Sequence, residues 1–271
     1  MTTAILTHSP AIKRPQRLGF GNALSAEWIK LRTVRSTAWT LASLVLVSIG
    51  LTALMGWLAA AALATGEAGE PVGAFVTWGL MFGQIAAFVL GVLVASSEYA
   101  SGMIRATLAA TPRRWQVLGA KSVVLAGLLF VLGVVTSFGS YMASNYFLGR
   151  QGIGLALGDD GVLRALFGGG LYLAVLALFG LGLGLLMRHT AGAVAVGLAL
   201  LFVVGNLVQL VPGALGEWLT KMMPGNAGST IANVESYNPM LLDPWVGFAV
   251  FCGETLLLLA VAGWLFARRD A

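Results

Sequence analysis

Charge is scarce in this chain. Of its 271 residues only 10% are charged, while 58% are hydrophobic. Soluble domains carry about 25% charged and roughly 45–50% apolar residues. The shortage excludes an ordinary soluble enzyme, a disordered chain and a fibrous protein. Cysteine is scarcer still. Cys252 stands alone, so an intramolecular disulfide, a thiolate metal cluster and a redox pair are all excluded. The two histidines, His8 and His189, have no carboxylate or thiol at ligand spacing, and the sequence contains neither H-E-x-x-H nor G-x-S-x-G. Those patterns mark zinc and serine hydrolases. A phosphate loop, G-x-x-x-x-G-K-[ST], is missing too. Gly119-Ala120-Lys121-Ser122 comes nearest, but Ala120 stands where the second glycine belongs and Trp115 where the first does.

Glycine and apolar sequence are what the chain has in plenty. It holds 36 glycines, and its mean hydropathy is +0.87. Glycine is costly inside a soluble helix, but in lipid it lets helices approach closely. A helix needs about 20 apolar residues to cross a hydrocarbon core of about 30 Å. Six stretches qualify: Ala38–Ala64, Val72–Ser97, Ser122–Leu148, Ala165–Met187, Ala191–Val211 and Trp245–Ala267. They are too long and too evenly apolar for barrel strands. Ala62-Leu63-Ala64 looks like a signal cleavage site, but the run before it far exceeds the roughly 7–15 residues of a signal core. An all-α polytopic membrane protein with six transmembrane helices follows.

The basic residues sort by side. With the N-terminus inside, 13 of the 16 fall on cytoplasmic segments, and only Arg150, Arg164 and Lys221 fall outside. Glu67, Glu70, Asp159, Asp160, Glu217, Glu235 and Asp243 take the external side. This positive-inside bias predicts a multi-pass protein of the inner (cytoplasmic) membrane with both termini cytoplasmic. The net charge of +5 does not point to nucleic acid, because no aromatic-interleaved basic domain carries it.

Residues 1–21 read as a flexible cytoplasmic tail and 22–271 as the six-span domain. Within 22–36, Leu24, Trp28 and Leu31 form a helical stripe with Lys30, Arg32 and Arg35 interleaved. A basic amphipathic helix of that kind can lie in the headgroup plane before the first span, the alternative being a short soluble helix or a plain juxtamembrane anchor. The external loop 212–244 carries an apolar cluster of Trp218, Leu219, Met222 and Met223. That cluster is expected to rest on the membrane face or dip back into it.

Segment 98–114, between spans two and three, reads as helix, break, helix. Thr111 suits an N-cap and Pro112 a first helical position, and Arg113 and Arg114 follow. Met103, Ile104 and Leu108 offer a small apolar face beside Arg105. That face fits either a docking surface for a cytoplasmic partner or an interfacial hairpin.

Three features of the sequence resemble the permeases of type-2 ATP-binding cassette exporters, particularly bacterial drug and peptide-antibiotic efflux or immunity permeases. The first is Glu27-Trp28-Ile29-Lys30-Leu31-Arg32 followed by Arg35-Ser36. The second is Glu98-Tyr99-x-x-Gly102-x-Ile104-Arg105-x-Thr107-Leu108 with Thr111-Pro112-Arg113-Arg114. The third is the six-span layout with its long last external loop. The resemblance implies that 98–114 is an arm coupling the chain to a separate cytoplasmic ATPase. It implies a second permease copy or paralogue as dimer partner. ATP and Mg would be used by the ATPase, with no cofactor or metal bound by this chain. The cargo would be a drug, antibiotic peptide, lipid or ion. A secondary transporter and a non-transporting scaffold or sensor of the same fold are the alternative readings.

Polar groups inside spans are costly and face protein or water. Gln84, Asn206, Gln209 and Glu254 are therefore candidates for a substrate route, although the three amides could equally glue helices together. Glu254 has a second reading as a protonated or hydrogen-bonded packing residue. Gly180, Gly182 and Gly184 read as helix packing or as a dimer seam.

Overall fold

The computed structural model describes residues 19–67, 69–110, 113–235, 238 and 240–268. Most of the tail 1–21 and the pair Thr111–Pro112 lie outside these. The described chain is helical, without a strand. Six helices are long and apolar enough to cross a membrane, as expected of a multi-pass membrane protein.

The short helix α1, Phe20–Thr33, leads into α2, Arg35–Thr65. Next come α3, Leu80–Ala100, the short α4, Met103–Ala110, and α5, Arg114–Arg150. At 37 residues and 1.5 Å per residue, α5 is about 55 Å long, well beyond a hydrocarbon core of about 30 Å. It therefore extends outside the lipid. The central helix is α6, Val162–Met187, the most buried of the six. The fifth, α7, Thr190–Leu210, has a π-helical segment at Ala199–Val204. The sixth, α10, Pro244–Arg268, closes the bundle.

Glycines set the packing around α6. A Cβ on Gly91 of α3 would stand 2.0 Å from the Ala177 carbonyl oxygen. One on Gly180 would stand 2.4 Å from the Phe88 oxygen, and one on Gly184 2.7 Å from that of Val92. The G-x-x-x-G pair therefore seats α6 directly on α3. Gly182 turns to Leu258 of α10 instead.

The second span starts later than its apolar run suggests. Val72–Phe75 forms one 3-10 turn rather than the first turn of α3. The Gly79 amide then donates to Thr52 Oγ1 at 2.9 Å. The long loop 212–244 folds in two parts. Its first helix, α8, Ala214–Met222, leaves Trp218, Leu219 and Met222 exposed. Its second, α9, Pro224–Ser229, runs into a 3-10 turn, Thr230–Ala232, and it is this part that dips into the bundle. Ala227, Ile231 and Ala232 are buried. A Cβ on Gly168 of α6 would meet the Ile231 oxygen at 2.1 Å. Thr77 donates to the Ala232 oxygen at 2.8 Å, and Arg164 donates to that of Val234 at 3.0 Å. The apolar cluster read from the sequence thus marks the loop, but the segment after it does the burying.

Candidate functional site

Helix direction gathers α1, α4, the end of α3 and the start of α5 at one end of the bundle, here the basic end. There α1 packs on α5 through Ala23 and Glu27 rather than through the Leu24–Trp28–Leu31 stripe. Glu27 is buried, Leu31 is half-buried, and Trp28 and Ile29 are exposed. Arg32 and Arg35 are exposed as well.

Glu27 is buried because it enters a closed ring of four charges. Lys30 Nζ donates to Glu27 Oε1 at 2.8 Å and to Glu98 Oε1 at 2.8 Å. Lys121 Nζ donates to Glu27 Oε2 at 2.9 Å and to Glu98 Oε1 at 2.7 Å. Its third proton is directed at the Val94 oxygen, 3.4 Å away. Glu98 is 2% exposed and Lys121 4%. Two acids and two bases sum to zero, so the ring buries no net charge. Desolvation is still expensive for each member, and its geometry must compensate for that. Burial works against the Lys30 ammonium, but its hydrogen bonds to Glu27 and Glu98 and the attraction of their charges together outweigh burial and hold its pKa above the ordinary lysine value. Lys30 thus stays charged through the physiological range. The ring ties α1 to α3 and α5, three elements far apart in sequence.

This geometry gives Glu98 an internal place in the ring. Lys121 was legible as one of the cytoplasmic basic residues and as part of a false phosphate loop, but not as a member of this ring. A lysine directly before the apolar run that begins at Ser122, about two turns into α5, was the signal available, since a charge at the edge of a span requires a partner.

Beyond Glu98 the chain breaks at Gly102, whose φ is +70°. Nothing lies within 4 Å of where its Cβ would be. Gly102 therefore serves the turn, and no described residue of this chain closes on it. On α4, Ile104 is buried and Leu108 packs against the same core. The apolar face offered by the sequence is mostly turned inward. Met103 and Arg105 remain exposed, and Thr107 is half-buried. Tyr99 carries the Arg188 guanidinium 5.0 Å above its ring. Arg113 is exposed. Arg114 donates to the Phe266 carbonyl near the end of α10, where helix carbonyls lack partners. Thr111 and Pro112 lie outside the described residues.

At the opposite end of the bundle, Gln84, Asn206 and Gln209 line one cavity of about 420 Å³. Glu254 does not line it. It is half-buried on α10, and its Oε2 has no hydrogen-bond partner among the described residues. No group of three or more His, Cys, Asp or Glu suited to a metal occurs among the described residues.

Comparison with protein-family models finds no match, and comparison with curated proteins finds none either.

Proposed function

We propose that the chain is the membrane permease subunit of an ATP-driven exporter, with ATP hydrolysed by a separate cytoplasmic subunit. The observation that carries this reading is the buried ring of Glu27, Lys30, Glu98 and Lys121. It makes α1, the end of α3 and the start of α5 one rigid unit at the basic end. The short α4 hangs from that unit, with Arg105 exposed and Ile104 anchoring it. A push on α4 would thus reach α3 and α5 directly, which is what a coupling arm needs. In this reading the basic end is cytoplasmic, Trp28 and Ile29 of α1 face the headgroups, and a second permease copy or paralogue completes the route.

The test is cargo movement in inside-out vesicles holding the permease with its co-purifying ATPase. Export that requires ATP, and stops when ATP cannot be hydrolysed, supports the reading. Movement driven by a proton gradient without ATP would instead favour a secondary transporter and make Glu254 the residue to examine.

A further inference from the structure

The cavity at the opposite end of the bundle is lined by α3, α6, α7 and the inward-dipping loop. Its volume, about 420 Å³, falls within the roughly 300–1,000 Å³ typical of small-molecule sites. Its wall is unusual for a membrane bundle because it holds the carboxamides of Gln84, Asn206, Gln209, Asn226 and Asn233. Several of these are held from behind. Asn206 donates to the Phe202 oxygen, Gln209 to that of Gly205 and Asn226 to that of Thr220. Gln84 accepts from the Tyr172 hydroxyl and donates to the Met81 oxygen. The carbonyl oxygens of Asn206, Gln209 and Asn226 accept no hydrogen bond from the described residues. They form a set of free acceptors that asks for a ligand rich in N–H donors.

The charge of the wall agrees. Among the described residues, Glu70 is the only acid that lines the cavity, and no Lys, Arg or His does. Trp78, fixed by a tilted contact with Phe82 at 5.5 Å, and Phe75 supply aromatic surface. Aromatic faces attract cations. The π-helical segment Ala199–Val204 puts Leu201 and Phe202 on the same wall, and such segments occur often at functional sites.

We propose that this cavity binds a ligand carrying a primary ammonium on an aromatic or apolar body, with the ammonium held by Glu70 and the free carboxamide oxygens. A peptide amino terminus and a simple amphiphilic amine share that chemistry. The proposal does not depend on the export reading, since binding can be measured on the chain alone.

The test is titration of the full-length protein in lipid nanodiscs, with empty nanodiscs as the blank. The probes are phenylalaninamide, its N-acetyl form, which lacks the charge, and phenylethylamine, which lacks the amide. Saturable binding of phenylalaninamide, weakened by up to about fivefold by acetylation, is expected, since an exposed charge pair is worth up to about a factor of five. Glu70→Gln should abolish that preference for the free amine. Asn206→Leu should weaken both amides about fivefold, the worth of a typical hydrogen bond. Tighter binding of phenylalaninamide than of phenylethylamine would assign the site to peptide amino termini, and equal binding to simple amines. Either outcome supports the ammonium site. Absence of saturable binding, equal binding of the acetylated probe, or an amine preference that survives in a folded Glu70→Gln protein would overturn it.

Discussion

Lys121 Nζ lies 2.7 Å from Glu98 Oε1, with both side chains buried at the junction of α3 and α5. The lysine also holds Glu27 of α1 at 2.9 Å, so its loss would leave two buried carboxylates sharing Lys30 alone. Breaking a buried pair by removing one partner typically costs about 3–5 kcal/mol. Lys121→Met should therefore destabilise the protein by roughly that amount in reversible unfolding in detergent. Adding Glu98→Gln should recover part of the loss, because the neutral amide no longer needs a cation. A double-mutant coupling near zero would show that the ring does not act as a unit.

Ile104 and Arg105 are adjacent on α4 but differ in burial, Ile104 buried and Arg105 exposed. Ile104→Ala should cost about 2–5 kcal/mol, as buried isoleucines generally do. Arg105→Glu should leave stability within about 0.5 kcal/mol, as exposed substitutions usually do. If α4 couples to an ATPase, the same charge reversal should lower ATPase co-purification and ATP-dependent export at matched membrane expression. Unchanged association and export would remove Arg105 from the contact.

Hydropathy was enough to find the six long helices, because a membrane solvent forces apolar runs of that length and little else in the chain competes with them. The start of α3 was misplaced for a local reason: Val72–Phe75 is apolar, yet it caps the bundle as a 3-10 turn. The packed face of α1 was hidden because its stripe was chosen by hydrophobicity, whereas Glu27 and Lys30 face inward to meet charges 68 and 94 residues away. Periodicity cannot announce a partner that distant. Gln84, Asn206 and Gln209 were legible as misfits in apolar runs, but Glu70 and Asn233 were not, since acids and amides are ordinary in loops.

Glycine positions divide sharply by what a methyl group would meet. Gly91 faces the Ala177 backbone at 2.0 Å, and Gly127 faces nothing within 4 Å. Gly91→Ala must push α3 off α6 and should destabilise by about 1–3 kcal/mol or more. Gly127→Ala, in the interior of α5, should stabilise by up to about 1 kcal/mol, because alanine has the better helix propensity. Thermal unfolding of the two variants side by side checks both signs. A Gly91→Ala protein of unchanged stability would show that the α3–α6 contact does not depend on the missing side chain.

Sidedness can be measured cleanly because Cys252 is the sole cysteine, so Cys252→Ser provides a thiol-free background. Basic residues favour the cytoplasmic side, and α4 lies at the end of the bundle where α1 and the start of α5 also gather. The turn at Gly158, between α5 and α6, lies at the other end and is exposed. Asn226 would be a poor reporter of that end, because its segment dips into the bundle beside the buried Ala227. In the thiol-free background, Gly158→Cys should react with a membrane-impermeant maleimide on intact cells. Ala109→Cys, exposed on α4, should react only after permeabilisation. Both substitutions fall on exposed backbone, so neither should disturb folding. The reverse pattern would put α4 outside, where no cytoplasmic ATPase could reach it, and would end the export proposal while leaving the amine-binding cavity to its own test.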